Sequence, residues 1–221
     1  MERTIRVTGK GKISVKPDLI RLILTLEDKR KTYEETLEQS TLQIEMLKDC
    51  FEKLGFNRTD LKTLNFNINT EYESYQDMVK SWKRKFTGYK FVHNMKIEFE
   101  ADNKRLGQVL YALAHAPIQP EFRINYTIKD TEAAKNQLLG KAVADSKEKA
   151  HILADAASVT LGDILTIDYS WEEIEFLSEP MARNLSLAGE RCMSAQSYDI
   201  DIEPDDIDVS DTVTVVWQIG K

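Results

Sequence analysis

Four consecutive side chains, Trp82, Lys83, Arg84 and Lys85, concentrate the interaction chemistry of this chain. They stand in the basic, aromatic stretch Lys80-Ser81-Trp82-Lys83-Arg84-Lys85-Phe86. Tryptophan and arginine are enriched where protein contacts are strongest, because both bury a large area around a polar handle. These four are therefore the candidate partner contacts. The plainer reading is a solvated loop whose lysines guard a hairpin end against edge pairing. A second charged stretch, Asp199, Asp201, Glu203, Asp205, Asp206 and Asp208, is acidic. A calcium loop counted from Asp199 needs glycine at its sixth position and finds Pro204. A solvated acidic connection is the better reading.

No catalytic, cofactor-binding or metal-ligating set emerges. His93, His115 and His151 share no ligand spacing with one another or with Cys50 and Cys192. No Gly-x-Ser-x-Gly elbow is present. Gly9-Lys10-Gly11 lies within strand alternation, not ahead of a helix, so it lacks the context of a phosphate loop. The stretch Gly88-Tyr89-Lys90-Phe91-Val92 partly matches an RNA-recognition strand, but lysine fills the small-residue position and Asn94 the last aromatic one. Cys50, beside Phe51 in a helical pattern, reads as a buried small hydrophobe, and Cys192 as a free thiol in a polar loop.

A chain of 221 residues with 42% hydrophobic content can bury a real core. Its net charge of −7 repels nucleic acids and anionic membranes on average, though a local basic patch escapes that argument. Leu19 to Leu26 is the longest apolar stretch, and it is too short to span a membrane. No apolar leader precedes the first alternating residues, and the expectation is a soluble, cytoplasmic chain.

The elements that must position the basic stretch are strands. Leu64, Phe66, Ile68, Thr70 and Tyr72 share one parity, and Tyr89, Phe91, Met95, Ile97 and Phe99 repeat it on a return arm. Such alternation predicts one long hairpin over Leu64–Phe99, with the basic stretch at its tip. Ile5 to Val15 alternates with Gly9 and Gly11 on its inward face. Glycine inside a strand signals close approach by another backbone. Tyr33 to Leu54 has the spacing of an amphipathic helix, with Gly55 placed to cap it. Asp102 opens a shorter helix that Pro117 stops, and Asp130 or Thr131 opens a long one rich in alanine, ended by Leu161-Gly162. Its Ala142–Ala154 face is expected to pack on Gly9 and Gly11. Phe122–Ile128, Leu165–Trp171 and Val213–Ile219 complete the strands.

The order predicts an α+β fold. Residues 18–129 form a ferredoxin-like βαββαβ unit with a protruding hairpin. Residues 1–17 and 130–221 form a second, discontinuous αβ unit from the first strand and an αββ tail.

Ile5-x-Val7-x-Gly9-x-Gly11, Pro17-Asp18, Thr63, Tyr72, Gly88-Tyr89 and Asn94 resemble the SIMPL-domain family. So do Ala142-Val143-x-Asp145-x-x-x-Lys149-Ala150-x-x-Leu153-Ala154, Leu161-Gly162 and Pro204-x-x-Ile207-x-Val209-Ser210. The family includes bacterial periplasmic antigens. The resemblance implies a two-part α+β fold, large ring-like homo-oligomers and no established enzymatic activity. The resulting expectation is a non-enzymatic, self-associating interaction module without cofactor or metal. A protein partner is possible, and the hairpin tip would contact the acidic segment of another copy. The rival classes are a ligand binder or enzyme with an interdomain cleft and, third, an RNA-binding module.

Overall fold

The computed structural model describes residues 3–77, 80–169, 174–178 and 197–220. Cys192 and Trp171, named above, lie outside them. The elements run β1 (Thr4–Val15), β2 (Leu19–Arg30), α1 (Tyr33–Lys53), β3 (Lys62–Gln76), β4 (Trp82–Glu100), α2 (Asn103–Ala114), β5 (Glu121–Thr127), α3 (Thr131–Ala156), β6 (Thr160–Tyr169) and β7 (Ile207–Gly220). The fold is α+β, with two antiparallel sheets and three helices. The chain divides into two compact units, one of residues 1–18, 127–178 and 204–221, the other of residues 19–126 and 179–203.

In the unit holding the termini, the sheet order is β1-β7-β6. The side chain of Asp130 caps α3 by accepting from Ala133 N at 2.8 Å. The buried stripe Ala134, Leu138, Ala142, Ser146, Ala150 and Ala154 then faces the sheet. A Cβ on Gly9 would run into the carbonyl oxygen of Ala142, and one on Gly11 into that of Leu138. Small residues on both partners thus let helix and strand backbones meet, as their spacing predicts. Val7, Val213, Val215 and Trp217 fill the remaining interface. Side chains of α3 also cover the outer edge of β1. Asp145 Oδ2 accepts from Lys10 N at 2.6 Å, and Lys141 and Lys149 donate to the carbonyls of Lys12 and Thr8 at 3.3 and 3.4 Å. The helix ends at Ala156, five residues before Leu161. Leu161 and Gly162 belong to β6 instead.

In the other unit the sheet order is β3-β4-β2-β5. Thr32 and Glu35 form a reciprocal capping box at the start of α1, and Gly55, with φ of +83°, follows its end. Ile20, Leu22, Leu24 and Leu26 of β2 and Phe91, Met95 and Ile97 of β4 are fully or almost fully buried, together with Leu47, Phe51, Leu106 and Val109 from the helices. Each such side chain contributes roughly 1.5–3 kcal/mol of burial. Residues 197–203 belong here rather than with the C-terminal strands. Ile200 and Ile202 pack on this core, and Tyr198 N donates to Gly107 O at 3.2 Å. Their alternation is therefore that of a strap with apolar anchors, its carboxylates turned outward.

Candidate functional site

β3 and β4 pair from Lys62↔Lys96 out to Gln76↔Trp82. β2 accompanies β4 only as far as Arg30↔Tyr89. Beyond that rung the hairpin continues as a two-stranded ribbon. Gly88 stands where it leaves, with φ of +140°, and a Cβ there would strike Arg30 O.

Trp82, Lys83, Arg84 and Lys85 are not in the turn. Each occupies a rung of the ribbon, opposite Gln76, Tyr75, Ser74 and Glu73 respectively. The register also departs from strict alternation. Glu71 pairs with Gly88 and Tyr72 with Phe86, which leaves Thr87 unopposed. This bulge is held by Thr87 Oγ1 donating to Glu71 O at 3.1 Å and by Lys29 Nζ donating to Thr87 Oγ1 at 2.6 Å. One extra residue reverses the facing of everything beyond it. Phe86, Arg84 and Trp82 consequently share a face with Tyr89, from which simple parity would have separated them.

That face is an aromatic ladder. Tyr33 meets Tyr89 with ring centroids 5.5 Å apart, Tyr89 meets Phe86 at 5.2 Å, and Phe86 meets Tyr72 at 5.7 Å, all edge to face. The Arg84 guanidinium lies 4.7 Å over the Tyr72 ring. Trp82, 72% exposed, continues the face toward the tip. The opposite face carries Lys83 and Lys85 with Tyr75 and Glu73, and Lys83 Nζ pairs with Asp77 at 2.9 Å. The four predicted contacts thus split into an aromatic-cationic pair and a charged pair.

At the ribbon's root, His93 is buried in β4. Its Nε2 is 2.8 Å from Thr63 Oγ1, and its ring is 5.0 Å from that of Phe66. Burial, with a smaller contribution from Lys48, pushes its pKa below the ordinary histidine value.

A separate open groove of about 380 Å³ lies between α1 and α2 of the same unit. Met46, Leu54, Ala112 and Pro117 supply its apolar walls, and Cys50, Lys53, Gln108 and His115 its polar groups. His115 stacks on Tyr111 at 4.1 Å and places Nδ1 2.8 Å from the Tyr111 carbonyl. Cys50 is half-buried, short of the full burial expected from its pattern, and desolvation pushes its thiol pKa up. Sequence spacing could not reveal this grouping, since two helices bring it together. No cluster of three or more histidine, cysteine or acidic ligands suited to a metal occurs among the described residues. No described helix is long and apolar enough to cross a membrane.

The model of the SIMPL family, described as a protein of unknown function (DUF541), matches residues 5–217. The 26 kDa periplasmic immunogenic protein of Brucella melitensis is 26% identical over 217 residues, covering 97% of this chain and 84% of that protein. The protein of the same name from Brucella abortus is 25% identical with the same coverage. The uncharacterized protein YggE of Edwardsiella ictaluri is 23% identical over 216 residues, 97% of this chain and 86% of its own length. The expectation of a cytoplasmic location does not stand: two of these relatives are named as periplasmic proteins.

Proposed function

The chain belongs to the SIMPL family, and on that premise we propose that it is a non-enzymatic, self-associating α+β module. Its contacts are made by the ribbon of β3 and β4. The observation that carries this reading is the ladder ending in Arg84 and Trp82, a large apolar surface held out from the sheet. The complement available on another copy is the acidic strap. The carboxylates of Asp199, Asp201 and Glu203 are exposed there, as are those of Asp205, Asp206 and Asp208 in the terminal unit, and no side-chain hydrogen bond or ion pair to any of them occurs among the described residues. A ribbon meeting a different patch on its neighbour is a heterologous contact, which closes into a ring when the rotation permits. The strand order β3-β4-β2-β5 supports a ferredoxin-like reading of that unit. The Brucella proteins' names support a periplasmic setting.

Light scattering tests the reading. Wild type should have several times the mass of one chain, and Trp82→Ala/Arg84→Glu/Lys85→Glu should lower it. The charged component should weaken between 0.1 and 1 M salt as the Debye length falls from about 10 to about 3 Å. A monomeric wild type at both salts refutes self-association. An unchanged mass in the triple variant removes these side chains from the contact.

A further inference from the structure

β3 is an edge strand whose sequence restricts what can pair with it. Between its irregularity at Thr63/Asn65 and its end, it runs without an inserted residue of its own, so residues 65–76 alternate cleanly. Along any edge strand, alternate residues turn their N–H and C=O groups away from the sheet. The edge of β1 has those groups covered by Asp145, Lys141 and Lys149. Among the described residues, the only side-chain hydrogen bond to the β3 backbone is from Thr87 to Glu71 O. The outer half of β3 also belongs to a two-stranded ribbon, which is marginal in water without further strands.

We infer that β3 docks antiparallel on β3 of a second copy, about a two-fold axis at Thr70. This rests on the self-association proposed above and names one of its contacts. In a symmetric pair the residue on the axis faces its own mate. Axes at Glu71, Tyr72 or Glu73 would set Glu71 or Glu73 against a glutamate of the second copy, which is unfavourable. An axis at Thr70 gives the longest pairing free of that clash, residues 65–75. There Glu71 faces Asn69 of the second copy, Glu73 faces Asn67, and Tyr75 faces Asn65, so that carboxamide N–H groups meet carboxylates. On the other face Tyr72 meets Ile68 of the second copy and Ser74 meets Phe66, covering side chains that the single chain leaves exposed or half-exposed. Each ribbon then lies against the root of the second copy's own four-stranded sheet, and the two join in the order β5-β2-β4-β3-β3-β4-β2-β5. An isologous contact of this kind is compatible with the heterologous one, since rings that stack in pairs use both.

Two measurements test it in a Cys50→Ser/Cys192→Ser background. Thr70→Cys should form an intermolecular disulfide under mild oxidation, because facing Cα atoms lie about 4.5–5.5 Å apart, within disulfide reach. Lys62→Cys should not, since eight residues on either side of the axis separate the two thiols by roughly 54 Å. Separately, Asn67→Glu sets two glutamate pairs face to face in each dimer and should weaken dimerisation at least tenfold. Adding Glu73→Lys should restore it. If the protein is oligomeric yet Thr70→Cys gives no disulfide, or Asn67→Glu leaves the mass unchanged at limiting concentration, the β3 pairing is wrong while self-association stands. If the protein is a monomer, both fall.

Discussion

Replacing Gly9 by alanine tests the central packing of the terminal unit, because the added methyl meets backbone. The new Cβ would collide with the Ala142 carbonyl oxygen and stand 2.5 Å from Ser146 N and 2.7 Å from Ser146 Cβ, where ordinary contact begins at 3.4 Å. No rotamer can relieve a clash with backbone, so α3 must retreat by about 1 Å along much of its buried stripe. Overpacking of this kind costs about 1–3 kcal/mol. Removing glycine from a strand returns about 0.5–1 kcal/mol of chain entropy. Overpacking wins, and the expected net loss is about 1–2 kcal/mol, or a Tm fall of about 2–8 °C. Gly140 is the control: it lies on the exposed side of α3, where a Cβ would find nothing within 4 Å. Gly140→Ala should stabilise by about 0.8–1 kcal/mol through helix propensity alone. Urea unfolding followed by circular dichroism measures both. If Gly9→Ala is neutral, or stabilises as Gly140→Ala does, the close contact between α3 and β1 is not what holds this unit together.

Two further predictions concern titration. The His93 pKa is depressed by burial and by Lys48, so below about pH 6.5 the unfolded chain takes up a proton that the folded chain refuses. The stability this residue contributes is therefore complete above that pH and is lost as pH falls toward the folded value; His93→Gln should flatten the slope of unfolding free energy just below about pH 6.5, and an unchanged slope would count against the burial argument. The Cys50 thiol is pushed up by desolvation, and the positive charge of Lys53 only partly opposes this. In a Cys192→Ser background the midpoint of its maleimide rate against pH should lie above about pH 8.5, the midpoint of an ordinary thiol, and Lys53→Ala should move the curve further upward; a midpoint at or below that pH would show that the groove does not desolvate the sulfur.

Periodicity and punctuation were legible in the chain alone. The element order, the α+β class and the meeting of Gly9 and Gly11 with a small-residue helix could be read there. Order and class are set by neighbours a few residues apart, and the third, a contact between segments distant in sequence, is signalled by small side chains on both of them. The resemblance to the SIMPL family was legible too, in motifs spread along nearly the whole chain. Other features depend on partners distant in sequence, and these emerged only with the folded molecule. The bulge at Thr87 turns Phe86, Arg84 and Trp82 onto the face of Tyr89, because a strand's parity has no meaning until its register against β3 is known. The basic residues entered the ribbon rather than the turn for the same reason, since the pairing continues until Gln76 meets Trp82. The groove holding Cys50 and His115 exists because α1 and α2 lie side by side, and residues 197–203 join that unit because Ile200 and Ile202 find apolar surface there. Local pattern set which faces are apolar; long-range packing set which of them are covered and which are left exposed.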